Sequence, residues 1–293
     1  MHPPRHCLTE RDAWLLDALA RMRFLTSSQL LRLGFGASRS AVNKRVRRLF
    51  DAGLVRVWVR CLEIDNLYSL APAGCAVHSI ANNQNRVPVP RGLDRDLDHT
   101  LAINDVRIAL ATTLPALKAE LVSWLSDWDL RPHRSRLVPD AHFIVQWPNG
   151  SESSFHLEVD RNTKSASALL RKLLAYRATT TYRYEYLFGS VDCVLVVAHN
   201  SAWLDRYRIH VAHAALNLQV WFVTLADVVA HGAAGRIWRS ARCESTYTLP
   251  SLAALPNGSE GWLTKTAVST CTSVPANARV PRPEPSRSEW WRA

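Results

Sequence analysis

Apolar residues recur at helical spacing three times before the chain first alternates. Trp14, Leu15, Ala18, Leu19 and Met22 form the first stripe, with Thr9 placed as N-cap and Glu10 and Asp12 suited to a first turn. In "FLTSSQLLRLGF", Thr26 or Ser27 caps a short helix carrying Leu30, Leu31 and Leu33, which Gly34 ends. The third stripe, in "GASRSAVNKRVRRLFDAGL", follows Ser38, puts Val42, Val46, Leu49 and Phe50 on one face, and stops at Gly53. Alternation then runs from Leu54 to Arg60 and from Leu67 to Leu70, about a turn at Glu63 to Asn66, as a β-hairpin requires. Three helices and a hairpin predict a winged helix-turn-helix over residues 8–82, closed by a short helix in "APAGCAVHSI". The polar, proline-bearing "ANNQNRVPVPRGLDRD" predicts a linker at 83–95.

Beyond the linker, helices and strands alternate. "LDHTLAINDVRIALATTL" has helical periodicity, and "AELVSWLSDWDLRP" contains an edge segment. "HFIVQW" and "SFHLEVD" are strands joined by "PNGS", an Asn-Gly hairpin signal. "SASALLRKLLAYRATTTY" is helical, and "VDCVLVVAHN" is a continuous apolar run of the kind buried on both faces of a sheet. A helix at "SAWLDRYRIHVAHAAL", a strand at "VWFVTL" and a helix start at "ADVVAHG" complete the pattern. The expected class is α+β: the winged helix, then an α/β domain around a mixed sheet over 96–244. Residues 245–293, rich in Pro, Ser, Thr and Arg, are expected to be a disordered tail.

Charge changes the picture. The 293 residues carry a formal charge of +11, with pI near 9.8. Residues 1–60 hold twelve Lys and Arg against four Asp and Glu, so most of the excess lies on the winged helix. An anionic partner, double-stranded DNA, follows. On the third helix the polar face offers Ser38, Arg39, Ser40 and Asn43 at the N-terminal end, within reach of bases, with Asn43 and Arg39 expected to discriminate among them. Lys44, Arg47 and Arg48 beyond them, and Arg56 and Arg60 on the wing, suit phosphates. Trp58 is expected to pack within the hairpin rather than stack on a base. The apolar wing (Val55, Val57, Trp58, Val59) gives a motive for homodimerisation.

Composition excludes other classes. No apolar run approaches the roughly 20 residues that span a bilayer, and the N-terminus lacks a signal-peptide core, so a cytoplasmic protein is expected. Six scattered cysteines without C-x-x-C argue against a zinc site or a disulfide framework. A P-loop, an H-E-x-x-H pair and a serine-nucleophile elbow are all absent; His210 and His213 stand three apart with no third ligand identifiable.

One constellation remains. Asp140 heads one hairpin strand, and Glu158 and Asp160 sit on its partner, on one face by period-two alternation. This order resembles the restriction-endonuclease-like fold of PD-(D/E)xK type, in which carboxylates hold Mg²⁺ beside the scissile phosphate and a lysine stabilises the developing charge. The usual Glu-x-Lys is interrupted, because Val159 and Asp160 follow Glu158. Lys164 and Lys172 are the substitutes, and Lys172 can reach back if its helix packs across the strand ends. The catalytic set, if the domain cuts, is Asp140, Glu158, Asp160 and Lys172, the three acids being the Mg²⁺ ligands. Asp160 has a second reading as the cap of the next helix. His99 and Asp105, on the preceding helix, are candidates to line the same cleft, and His99 alternatively satisfies a helix end.

With these residues in view, "LTERDAWLLDALARMRFLTSSQLLRLGF", "VRRLFDAGLV", "LDHTLAINDV", "VPDAHF", "HLEVDRNT" and "LLRKLLAY" together resemble the plasmid replication-relaxation protein family, over about residues 8–230. The resemblance implies a DNA-binding protein of a plasmid or other mobile element, acting in replication, mobilisation or regulation. A relaxase, replication or phage protein is a candidate protein partner, with the α/β domain as the docking surface, as a third alternative to the two functions below. Two functions stay open: a DNA-binding factor whose nuclease-like domain does not cut, and a Mg²⁺-dependent endonuclease targeted by its winged helix.

Overall fold

A computed structural model describes residues 8–59, 65–82, 89–90, 92–93, 96–130, 137–161, 165–178, 193–214 and 218–253. Arg60, Lys164, most of the 83–95 segment and residues from 254 onward lie outside this set.

The N-terminal unit begins with α1 (Glu10–Met22), started by a capping box in which Thr9 and Asp12 satisfy each other's backbone N–H. Thr26 and Gln29 repeat the device at α2 (Ser27–Arg32), and Ser38 caps α3 (Arg39–Asp51). The hairpin strands β2 (Val55–Trp58) and β3 (Leu67–Leu70) pair antiparallel, Val55 opposite Leu70 and Trp58 opposite Leu67. A third strand, β1 (Leu25–Thr26), pairs with the other edge of β3. At two residues it is too short to leave a periodic signal. Helix α4 (Pro72–Asn82) closes the unit.

The described apolar residues of the hairpin are largely used inside. Val55 is buried, Val57 packs on the unit's core, and the Trp58 ring meets Phe24 edge-on while its Nε1 donates to Ser69. Among the described residues of the hairpin, Val59 is the apolar side chain that remains well exposed.

Helix α5 (Leu97–Thr113) follows, and it is buried on nearly every side. Its Ile108 enters the core of the N-terminal unit, and Leu97 packs with Phe24 and Leu67. The Asn104 amide donates to Met22 O at 3.0 Å and Phe24 O at 2.8 Å, two carbonyls exposed where Arg23 turns the chain with φ 62°. Asn104→Leu is expected to take the side-chain donor from both carbonyls, leaving Met22 O with only the Phe24 N–H at 2.7 Å, and to cost about 2 kcal/mol in urea unfolding. An unchanged midpoint would show that the chain end of α1 does not depend on α5.

Among the described residues the second unit holds a seven-stranded mixed sheet. Strands β4 (Glu120–Ser126), β5 (Ala141–Gln146) and β6 (Glu152–Asp160) are antiparallel. β6, β7 (Cys193–Ala198) and β8 (Val220–Thr224) are parallel, and β9 (Trp238–Ser240) and β10 (Thr246–Tyr247) continue antiparallel. Short helix α6 (Asp127–Leu130) follows β4. One sheet face, with Phe143, Phe155, Leu157, Leu195 and Val223, packs in the cluster that includes α5 residues. The opposite face, with Val194, Val196 and Phe222, packs against α7 (Ala166–Ala178) and α8 (Ser201–His213). β7 is apolar on both faces, as its unbroken run implies. Short helix α9 (Leu225–His231) follows β8.

Ordered structure continues past the expected boundary at 244. β10 and α10 (Leu249–Ala253) are formed, with Leu249 and Leu252 buried in the main core. Two apolar residues in a polar stretch suffice, because β9 supplies the edge on which they dock.

Candidate functional site

Two sites emerge, one per unit. On α3 the inward face is Val42, Val46 and Leu49. Ser38, Arg39, Ser40, Lys44, Arg47 and Arg48 are all exposed, so the polar residues named from sequence do share an outer surface. Asn43 is the exception. Its Oδ1 accepts from Ser27 Oγ and Tyr68 OH, each at 2.9 Å, and those two hydroxyls lie 3.1 Å apart. Arg39 pairs with Asp65 at 3.1 Å and donates to Ser28 Oγ at 2.9 Å. Arg47 pairs with Asp51 at 2.8 Å over the Phe50 ring. Arg45 turns inward to Asp12 and Thr9, tying α3 to α1. On strand β2, Arg56 donates to Pro90 O at 2.9 Å, toward the connecting segment.

The second site is built by register. The turn after Trp147 closes with Gly150 at φ 80° and folds β5 onto β6 with Ala141 opposite Leu157. Asp140 then stands beside Glu158: its N–H donates to Leu157 O at 3.0 Å, and its Oδ2 accepts from Val159 N at 2.8 Å. Period two puts Glu158 and Asp160 on the face that α7 covers. Both are buried, Glu158 at 2% exposure. Lys172 comes down from α7, its Nζ 2.6 Å from Glu158 Oε1 and 2.7 Å from Oε2. Tyr176, one turn on, donates to Oε1 at 2.5 Å.

Burial pushes the Glu158 carboxyl up to about 7; the Asp140 charge adds to the rise, and Lys172 and Tyr176 oppose it. His99 Nε2 lies 3.4 Å from Asp140 Oδ1, and Asp98 pairs with Arg161 at 3.2 Å, so the first turn of α5 borders the cluster. Asp105 does not join it. It faces the other way, accepting from Gln29 at 2.8 Å and pairing with Arg32, because six residues along a helix reverse the face. Ser165, whose Oγ accepts from Ala168 N, performs the capping suggested for Asp160.

Sequence reading missed three neighbours of the cluster. Tyr176 stands four residues after Lys172, a same-face spacing that was available as a signal. His142 and His156 oppose each other across β5 and β6, with Nδ1 atoms 3.1 Å apart. Burial lowers His142 to about 4 and holds His156 well below the usual range, so the pair is neutral and one ring donates to the other.

The three acids have the oxygen chemistry Mg²⁺ takes. Lys172 already bonds both Glu158 oxygens, so a cation there would share that carboxylate with the ammonium. Among the described residues, no group of three or more His, Cys, Asp or Glu side chains is disposed around a metal position. No helix among them is long and apolar enough to cross a membrane. The sequence model of a family described as replication-relaxation matches residues 16–187, more than half of the chain. No curated protein and no solved structure matches.

Proposed function

The chain belongs to the replication-relaxation family, and we propose that it is a duplex-DNA-binding protein acting in replication or mobilisation, through a winged helix-turn-helix at its N-terminus. The observation that carries this reading is α3. Its apolar side is locked into a four-helix, three-strand unit, and its exposed side is Ser40, Lys44, Arg47 and Arg48. A helix of this size with a cationic outer ridge suits a major groove. The second unit is proposed as a restriction-endonuclease-like domain that does not cut.

Binding is expected to be strongly electrostatic. With about five phosphates neutralised, the log–log salt slope should lie near −4.5, and affinity should fall several hundredfold between ~50 and ~200 mM salt. A flat salt dependence would count against the reading.

Lys172 favours a second reading, a Mg²⁺-dependent endonuclease, because an ammonium held 2.6 Å from a buried carboxylate is where such enzymes want positive charge. Supercoiled plasmid incubated with Mg²⁺, Mn²⁺ or EDTA separates the two. We expect the plasmid to stay intact in all three. Metal-dependent nicking that Glu158→Ala abolishes would establish the endonuclease instead.

A further inference from the structure

We infer that base discrimination lies with Ser40, Lys44 and Arg47 on the outer ridge of α3, acting on guanine-bearing major-groove steps, and that Asn43 is a positioning residue. This rests on the reading of α3 as the DNA-facing helix.

Asn43 is the side chain that adenine recognition would call on, but its carbonyl oxygen is already used. It accepts from Ser27 and Tyr68, which are 1% and 2% exposed. Turning the amide toward DNA would take that acceptor from both buried hydroxyls; they lie 3.1 Å apart, so one could donate to the other and one hydrogen bond would be left unmade. The triad joins α2, α3 and β3 through one residue of each, so Asn43 fixes how α3 sits against the wing. Arg39 is tied similarly, to Asp65 of the wing turn and Ser28 of α2, although its side chain is 61% exposed. Asp65 also accepts from Ser28 N at 3.1 Å, which fixes the carboxylate that holds the guanidinium.

The outer ridge is different. Positions 40, 44 and 47 follow one another at i, i+4 and i+7, opposite Val42, Val46 and Leu49. The side chains of Ser40 and Lys44 make no hydrogen bond or ion pair among the described residues, so they meet a base without breaking an internal contact. Arg47 pairs with Asp51 on open surface, its side chain 70% exposed, and such a pair exchanges readily. Lysine and arginine donate to guanine O6 and N7, and a serine hydroxyl to either purine. Arg48, further round the helix, is left for phosphate.

The full chain should first be used to select a preferred duplex from a random pool. The affinity ratio of that duplex to a scrambled one is then measured for wild type, Lys44→Ala, Ser40→Ala, Asn43→Ala and Tyr68→Phe. Lys44→Ala should lower the ratio about five- to a hundredfold, and Ser40→Ala should lower it less. Tyr68→Phe should lower the melting temperature and leave the ratio unchanged. Asn43→Ala should weaken both duplexes alike. Loss of the ratio in Asn43→Ala together with its retention in Lys44→Ala would overturn the inference. Should Asn43→Ala fail to fold, an unchanged ratio in Lys44→Ala would overturn it alone. A wild-type chain that binds no duplex would instead remove the underlying reading.

Discussion

Gly74→Ala should destabilise the N-terminal unit by about 3 kcal/mol or more, where helix propensity alone would have it stabilise by about 1. Gly74 lies inside α4, a position at which alanine is ordinarily the better residue. Here a Cβ would stand 2.0 Å from the Leu54 carbonyl oxygen and 3.0 Å from its carbon. That carbonyl cannot retreat, since it accepts from Ala71 N at 2.9 Å and heads the strand that pairs with β3. The clash is with backbone, so no rotamer relieves it, and α4 must lift off the sheet. Gly92, with nothing within 4 Å of its Cβ position, is the control: Gly92→Ala should unfold with wild type. Equal urea midpoints for Gly74→Ala and Gly92→Ala would show that α4 packs less closely than this.

Much of this architecture was legible because each signal was local. Thr9, Thr26 and Ser38 announce their helices through side chains that bond the next turn, and all three do so. The meeting of Asp140 with Glu158 followed from an Asn-Gly turn and a period of two, which together leave one register. Lys172 reaching Glu158 required only that α7 cover the strand, and the apolar Leu169 and Leu173 beside it demand that. What escaped was set by packing between distant segments. Asn43 sits on the polar face by its spacing, and only the fold brings Tyr68, 25 residues away, against it. Asp105 reads as part of a cleft until Arg32 and Gln29 claim it from the other unit. The closing strand and helix at 246–253 have almost no pattern of their own, and an existing sheet edge makes them.

The pH dependence of stability should carry the signature of Glu158. Its folded carboxyl sits at about 7 against 4.5 for the unfolded chain, so the folded state binds that proton more tightly. Below pH 4.5 the carboxyl is protonated in both states and costs nothing. As pH rises through 4.5 to 7 the unfolded chain gives up its proton and the folded chain resists, so stability falls; above 7 the loss is complete. The full span is at most about 3 kcal/mol. His142 and His156 act with the opposite sign. Their depressed values mean stability is lost as pH falls below the ordinary histidine range, for His142 down to about 4. The raw profile therefore mixes the two, and the difference between wild type and Glu158→Gln isolates the carboxyl. Glutamine keeps the shape and an acceptor for Tyr176 and Lys172 but does not titrate. Measured by urea unfolding, the variant should gain on wild type by up to that amount between pH 4.5 and pH 7. A difference that stays level across the window would mean that Lys172 neutralises Glu158 completely, which would make the pair a fixed ion pair rather than a strained acid.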